Sequence, residues 1–161
     1  MIQVLKDIET FLKANLQAYL DTIATEQSIT VDSWKELGIY RQRGQQYPSV
    51  SIEPTSTGDL EFVPGNGGVG SMVRRIDNIT IVVWHRGNRT TTRIIEENAV
   101  AYMDALERLF TEKADMENRA YQLVLIKDTA YTDLFPDTAG QTANVLLKGA
   151  AFTIEVRPNY F

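Results

Sequence analysis

The chain has 161 residues, 43% of them hydrophobic and 23% charged, which is ordinary for a globular protein of one domain. It contains no cysteine, which excludes disulfides and thiolate metal sites, and no apolar run reaches the roughly 20 residues of a membrane-spanning helix. The formal net charge of −5 argues against a protein whose main task is to grip the nucleic-acid backbone.

The N-terminal region predicts one long amphipathic helix over residues 2–24. Apolar residues recur there at spacings of three and four, with polar residues between them. The residues of this apolar stripe are Ile2, Leu5, Ile8, Leu12, Leu16, Leu20 and Ile23. A single stripe indicates that the helix packs against a sheet. Residues 25–46 are polar and irregular, with a possible short turn at 32–38.

Strands and a long loop are predicted next. Tyr47–Pro54 alternates with a period of two and is bounded by prolines, which favours a strand at or near the edge of the sheet. Asp59–Pro64 alternates like a half-buried strand. Ile79–His85 contains mainly β-branched residues, which are typical of a strand. We expect a long loop between the first two strands of the sheet, with a flexible arm at about 56–77.

The arm contains a glycine-rich stretch with the pattern G-x-G-x-x-G at Gly65, Gly67 and Gly70. Such glycines bind a dinucleotide only where a strand leads into them and a helix begins after them. The strand Ile79–Trp84 follows so closely that no amphipathic helix fits between. The sequence therefore favours an arm over a cofactor loop and predicts no cofactor. A small nucleotide-binding enzyme that uses Gly65–Gly70 is the alternative of a different class.

A second helix is predicted over residues 92–113. Its apolar face includes Tyr102 and Leu106, and Thr90–Thr92 can cap its start. Glu96 and Glu97 are expected in its first turn, where the helix dipole favours negative charge.

The last third of the chain predicts two more strands, over 121–127 and 145–157, separated by the polar loop Asp128–Thr142. The order α-β-β-α-β-β predicts one α+β domain spanning residues 1–161. Its expected architecture is a mainly antiparallel four-stranded sheet with two helices packed on one face.

No catalytic residue or metal site is predicted. The single histidine, His85, lies at a predicted strand end without the neighbours of a catalytic triad or a metal site, and we interpret it as a surface residue. Asp128, Asp133 and Asp137 lack the spacing of a calcium-binding loop. These observations favour a protein that is not an enzyme.

Arginines and aromatic residues in predicted loops and at the terminus suggest contacts between subunits. The planar guanidinium suits carboxylates on a partner. Tyrosine and other aromatics are common at protein interfaces. The candidate interface residues are Gly65, Asn66, Gly67, Gly68, Gly70, Met72, Arg74, Arg75, Arg86, Arg89, Phe135, Tyr160 and Phe161.

The order and spacing of these elements resemble a known family. An amphipathic N-terminal helix leads to Tyr47–Ile52, and a long loop leads to Ile79–Trp84. A single helix from Arg93 to Phe110 follows, and the chain closes with the strand Ala150–Val156. This pattern resembles the tail-terminator, or tail-completion, proteins of tailed bacteriophages, which join head and tail at the neck.

The resemblance implies a ring of identical subunits, commonly six, that caps the tail tube and presents a surface to the head–tail connector protein. The partners would be other copies of the chain, the tail-tube protein and the connector. DNA would pass through the channel without specific binding, because an acidic ring repels it. The location would be the virion neck, after assembly in the host cytoplasm. The family has no catalytic residues, and Pro64–Arg75 and Asp128–Thr142 match its protruding contact loops.

Two further alternatives remain open from the sequence. One is another head–tail joining or tail protein, which belongs to the same structural class. The other is a bacterial adaptor domain that works as a dimer.

Overall fold

The computed structural model describes residues 1–39, 46–56, 60–63, 72–136 and 145–158, with backbone alone for Ser56, 60–63, 72–75 and Leu123. The elements are α1 (Ile2–Gln27), β1 (Glu36–Ile39), β2 (Ser49–Ser56), β3 (Leu60–Val63), β4 (Met72–Arg75), β5 (Asp77–Asn88), α2 (Thr92–Glu112), β6 (Tyr121–Tyr131), β7 (Phe135–Pro136) and β8 (Val145–Pro158).

Six strands of this described part form one mixed sheet in the order β1-β2-β5-β8-β6, with β7 pairing with β8. β1 pairs with β2 in parallel, whereas the other pairs are antiparallel. β3 and β4 form a separate antiparallel pair. The predicted α+β class is confirmed. The predicted four-stranded, mainly antiparallel sheet is wrong, because the sheet has more strands and contains a parallel pair.

The sequence does not reveal β4, which lies in the arm, or β7, which lies in the predicted loop Asp128–Thr142, and it does not reveal β1. β1 has four residues within a segment predicted to be irregular, too few for a period-two pattern to stand out. Its pairing with β2 places β2 one strand in from the edge of the sheet, which agrees with the predicted position at or near the edge. The prolines of β2 do not interrupt regular pairing. Pro48 precedes the strand, and Pro54 lies where the register with β5 shifts.

Both helices pack on the face of the sheet that carries Ile79, Ile81 and Val83 of β5. Three aromatic rings connect the layers. Phe110 of α2 lies 5.5 Å from Phe11 of α1 and 5.9 Å from Phe152 of β8, measured between ring centroids. Such pairs contribute roughly 0.5–1.5 kcal/mol each beyond the burial of their area.

Two buried polar residues of α2 hold the segment that leads into β1. The Asn98 side chain donates to the carbonyls of Thr30 and Ile94 at 3.0 and 2.9 Å, and its oxygen accepts from the Asp32 backbone N–H at 2.7 Å. The Tyr102 hydroxyl donates to the Asp32 carbonyl at 2.7 Å. These bonds satisfy backbone groups of a segment that has no regular structure of its own.

Both helices differ at their ends from the sequence-based expectation. α1 ends at Gln27, three residues beyond the predicted end, and the next residue, Ser28, adopts the left-handed conformation with φ 53° and donates its N–H to the carbonyl of Thr25. α2 begins at Thr92 and has no acidic residue in its first turn, so the predicted position of Glu96 and Glu97 is wrong. They lie in the second turn, where the dipole acts on them more weakly.

Gly87 allows α2 to approach the end of β5 closely. A Cβ atom at this position would collide with the side chains of Ile95 and Thr91. We expect Gly87→Ala to lower the free energy of unfolding by about 1–3 kcal/mol, because an added methyl group overpacks this contact. Urea denaturation would measure the change.

A double-mutant cycle tests the cause. Ile95→Val removes the Cδ1 atom that the added methyl group would meet, and alone it should cost about 0.5–1.5 kcal/mol. In the Gly87→Ala background the same change should cost less or stabilise the protein. Strictly additive effects of the two substitutions would contradict this account of Gly87.

Candidate functional site

The arm is an antiparallel pair of short strands inserted between β2 and β5. Leu60 pairs with Arg75 and Val63 with Met72, so the glycine stretch connects two paired strands. The chain is already a strand at Met72. The helix that a dinucleotide-binding turn requires is therefore not formed there. The candidates Gly65, Asn66, Gly67, Gly68 and Gly70 lie outside the described residues.

The remaining candidates on the arm, Met72, Arg74 and Arg75, belong to β4. Arg74 is the register partner of Glu61 in β3. The terminal candidates Tyr160 and Phe161 lie outside the described residues.

Arg86 and Arg89 lie at the end of β5 that leads into α2. Arg86 still belongs to β5, so the prediction that it lies in a loop is wrong. Its guanidinium carbon lies 5.8 Å from the centre of the Tyr47 ring. Pairing with β8 extends β5 to Asn88, beyond the predicted end at His85. Arg89 begins the short turn before α2 and is exposed.

A tight hydrogen-bonded turn fixes this loop. The Asn88 side chain accepts from the N–H and hydroxyl of Thr90, at 3.0 and 2.6 Å. The Thr91 hydroxyl accepts from the Asn88 N–H at 2.9 Å. Thr91 therefore turns its side chain back to the loop and does not cap α2. The loop holds Arg89 on a rigid base.

A cavity of about 460 Å³ lies beside this loop. Its lining comes from the end of β5, the first turns of α2 and the segments around residues 30–32 and 47–48, and includes His85, Arg86, Asn88 and Asn98. The lining combines polar side chains with the apolar side chains of Ile94 and Ile95, and the hydrogen bonds of Asn98 fix one side of it.

His85 is not the surface residue that the sequence suggests. The side chain is only 3% exposed, because the alternation of β5 turns it toward the helices. Its ring meets Tyr102 edge-on at 5.0 Å between centroids. In the described part of the chain its Nε2 atom has no hydrogen-bond partner. Burial lowers the pKa of the imidazole to about 4, so it is neutral at physiological pH.

The opposite face of the sheet carries no helix of the described residues, and a small apolar patch lies at its centre. Val82, Trp84 and Ala151 line a shallow cavity of about 120 Å³ there. Phe135, one of the predicted interface residues, packs edge-on against Trp84 at 5.9 Å between centroids. Phe135 therefore contacts its own sheet.

Polar side chains surround this patch along the strands. The hydroxyls of Thr55, Thr80 and Thr153 form a row of hydrogen bonds across three strands. Farther along β8, Glu155 binds Lys127 and Arg157 at 2.8 Å each. Burial raises the pKa of Glu155, but the hydrogen bonds from these two cations outweigh it, and the net shift is downward. We call the apolar patch and this polar surround the open sheet face.

The sequence alone predicts little of the open sheet face. Its residues alternate with core residues, but only the pairing of distant strands brings them together. The one signal is the alternation within 145–157. Among the described residues there is no group of histidine and carboxylate side chains that could hold a metal ion, and no helix long and apolar enough to span a membrane.

Comparison of the sequence with models of protein families and with curated proteins found no match.

The buried imidazole gives the protein a pH-dependent stability that can be measured. Between pH 6.5 and about 4 the unfolded chain protonates His85 while the folded chain does not. The stability is thus complete above pH 6.5 and falls as the pH drops to about 4, by about 3 kcal/mol for this residue.

His85→Leu removes this titration. Denaturation at pH 7 and pH 4 should show a smaller loss of unfolding free energy for the variant than for the wild type, by about 3 kcal/mol. Carboxylates titrate in both proteins, so only the difference between them reports on His85. An identical pH dependence of the two proteins would show that the imidazole is not buried in its neutral form.

Proposed function

We propose that the protein is a structural component of the neck of a tailed bacteriophage, a tail terminator that assembles with copies of itself into a ring. The ring would cap the tail tube and join it to the head connector. The order of elements described above, with its resemblance to tail terminators, is the basis for naming the phage neck.

The observation that carries the assembly part of this proposal is the arm. β3 and β4 form a two-stranded sheet of four residues per strand, separate from the main sheet. An isolated pair of strands is marginally stable in water. β4 contacts β8 of its own chain, and a contact with a neighbouring subunit would give the arm a further surface to pack on.

The charge of the chain fits the proposed channel. An acidic subunit with a formal net charge of −5 makes a ring that repels DNA on average, so that DNA can move through it. A channel lined by arginine would contradict this part of the proposal.

The arrangement of the arm disfavours the nucleotide-binding alternative, because β4 occupies the place where the phosphate-binding helix would begin. Another head–tail joining protein is the alternative function within the same structural class. It would assemble in a similar way and differ in the component that the ring binds.

The first prediction is that the purified protein forms annular particles. Light scattering should give the mass of a small integral number of subunits, and negative-stain images should show a central hole. A compact monomer that binds a nucleotide, detected by calorimetry, would contradict the proposal.

The second prediction concerns the arm. Deleting Gly65–Gly70 leaves Pro64 and Ser71 between the paired residues Val63 and Met72, a length that a hairpin can accommodate. We expect the thermal midpoint to change by only about 2 °C, since the arm adds little to the core. Ring formation should be impaired. Loss of folding without a specific assembly defect would refute the role of the arm.

A further inference from the structure

The two helices enclose a groove on the outer side of the protein. Two adjoining cavities, of about 390 and 330 Å³, share Ile23, Gln27 and Asp104 and so form one continuous depression. The wider one is lined by the apolar side chains of Ile23, Ile29, Val100 and Ala101. We call this depression, with its rim, the α1–α2 groove.

Five carboxylates line the groove, together with the cation Arg108, which pairs with Glu26 at 2.8 Å. Glu96 pairs with Lys148 at 3.1 Å, and Glu97 pairs with Arg93 at 2.7 Å. Within the described ranges, Asp104 and Glu107 form no ion pair. Burial is the main cause that raises the pKa of Asp104; the nearby Glu107 adds to it, and the charge of Arg108 opposes it.

One of the exposed apolar side chains, Val100, lines the groove itself. Of the five large hydrophobic residues that the described part exposes, Ile94 (47%) and Val100 (46%) lie on α2. Tyr131 (46%) lies on β6. Burial raises the pKa of its hydroxyl, and the negative charges of Asp104 and Glu107 raise it further.

The matching positive charge lies on another part of the same chain. Residues 86–95 contain three arginines and no carboxylate. Arg89, at the tip of the β5–α2 loop, is exposed and makes no hydrogen bond or ion pair with the described residues. Thr92 and Asp104 lie 12 residues apart on α2, about 18 Å along its axis. Arg89 therefore cannot neutralise Asp104 of its own chain.

We propose that Arg89 of one copy enters the α1–α2 groove of the next copy, where Asp104 and Glu107 accept its guanidinium. The inference rests on the ring proposed above and names one of its subunit contacts. Two different surfaces meet, so the contact is head-to-tail, and it closes into a ring when the rotation between subunits allows. A guanidinium held between these two carboxylates over an apolar floor supplies an ion pair that neither carboxylate forms with the described residues of its own chain.

Charge reversal tests this contact. Arg89→Glu should weaken association by about tenfold or more, because like charges then meet in the groove. The double change Asp104→Lys with Glu107→Lys should do the same. Mixing the two variants should restore association, since each loop then faces a groove of opposite charge. Sedimentation velocity would measure the oligomers.

Arg119→Glu is the matched control. Arg119 is an exposed arginine near the start of β6, away from the groove, and its reversal changes the net charge by the same amount. It should leave association unchanged. All the substituted side chains are exposed, and thermal unfolding would verify that each variant folds.

The absence of native cysteine allows a second, independent measurement. Copies carrying Arg89→Cys mixed with copies carrying Asp104→Cys should form a disulfide-linked dimer on oxidation, whereas Arg119→Cys with Asp104→Cys should not. Such cross-linking traps even a weak contact.

The outcomes separate this inference from the proposed function. The docking would be overturned, and the ring proposal would stand, if Arg89→Glu forms the same rings as the wild type. In that case positions 89 and 104 should also give no cross-link. A wild type that forms no ring, with mixtures that neither associate nor cross-link, would overturn both. Restored association in the mixture together with the specific cross-link would support the contact.

Discussion

The pairing of β5 with β8 is the interaction on which the rest of the structure depends. The register runs without a shift from Asp77 opposite Val156 to Asn88 opposite Val145. β2 and β1 join the sheet through β5, and β6 and β7 join it through β8. The same ladder turns alternate residues toward the helices, so the core on one side and the open sheet face on the other follow from a single register.

The strict alternation of side chains along β5 and β8 places two polar residues on the inward face at one end of this pairing. His85 and Lys148 are register partners on the inward face, although both are polar. The Nζ atom of Lys148 lies 3.1 Å from the carboxylate of Glu96, which is partly exposed. The imidazole of His85 stays neutral against Tyr102. The inward face is thus apolar beneath most of α2 and becomes polar where α2 begins, beside the β5–α2 loop.

The local periodicity of the sequence predicts the elements whose structure is set within a few residues. The apolar stripe of residues 2–24 predicts α1, and the β-branched run Ile79–His85 predicts the centre of β5. The features that depend on distant pairing are not predictable in this way. β1 is fixed by its parallel partner β2, and the last residues of β5 by residues 145–147 of β8. The α1–α2 groove likewise joins residues as distant as Ile23 and Val100.

The two proposed contacts lie at opposite ends of one rigid strand. The arm ends at Arg75, just before β5 begins, and the β5–α2 loop begins at Arg89, just after β5 ends. The 12 residues of β5 span about 36–40 Å. β5 is flanked by β2 and β8, so its length cannot change without breaking the sheet. If the chain contacts its neighbours at both ends of this central strand, the backbone geometry of β5 fixes the distance between the two contacts. A ring of defined size requires such a fixed distance.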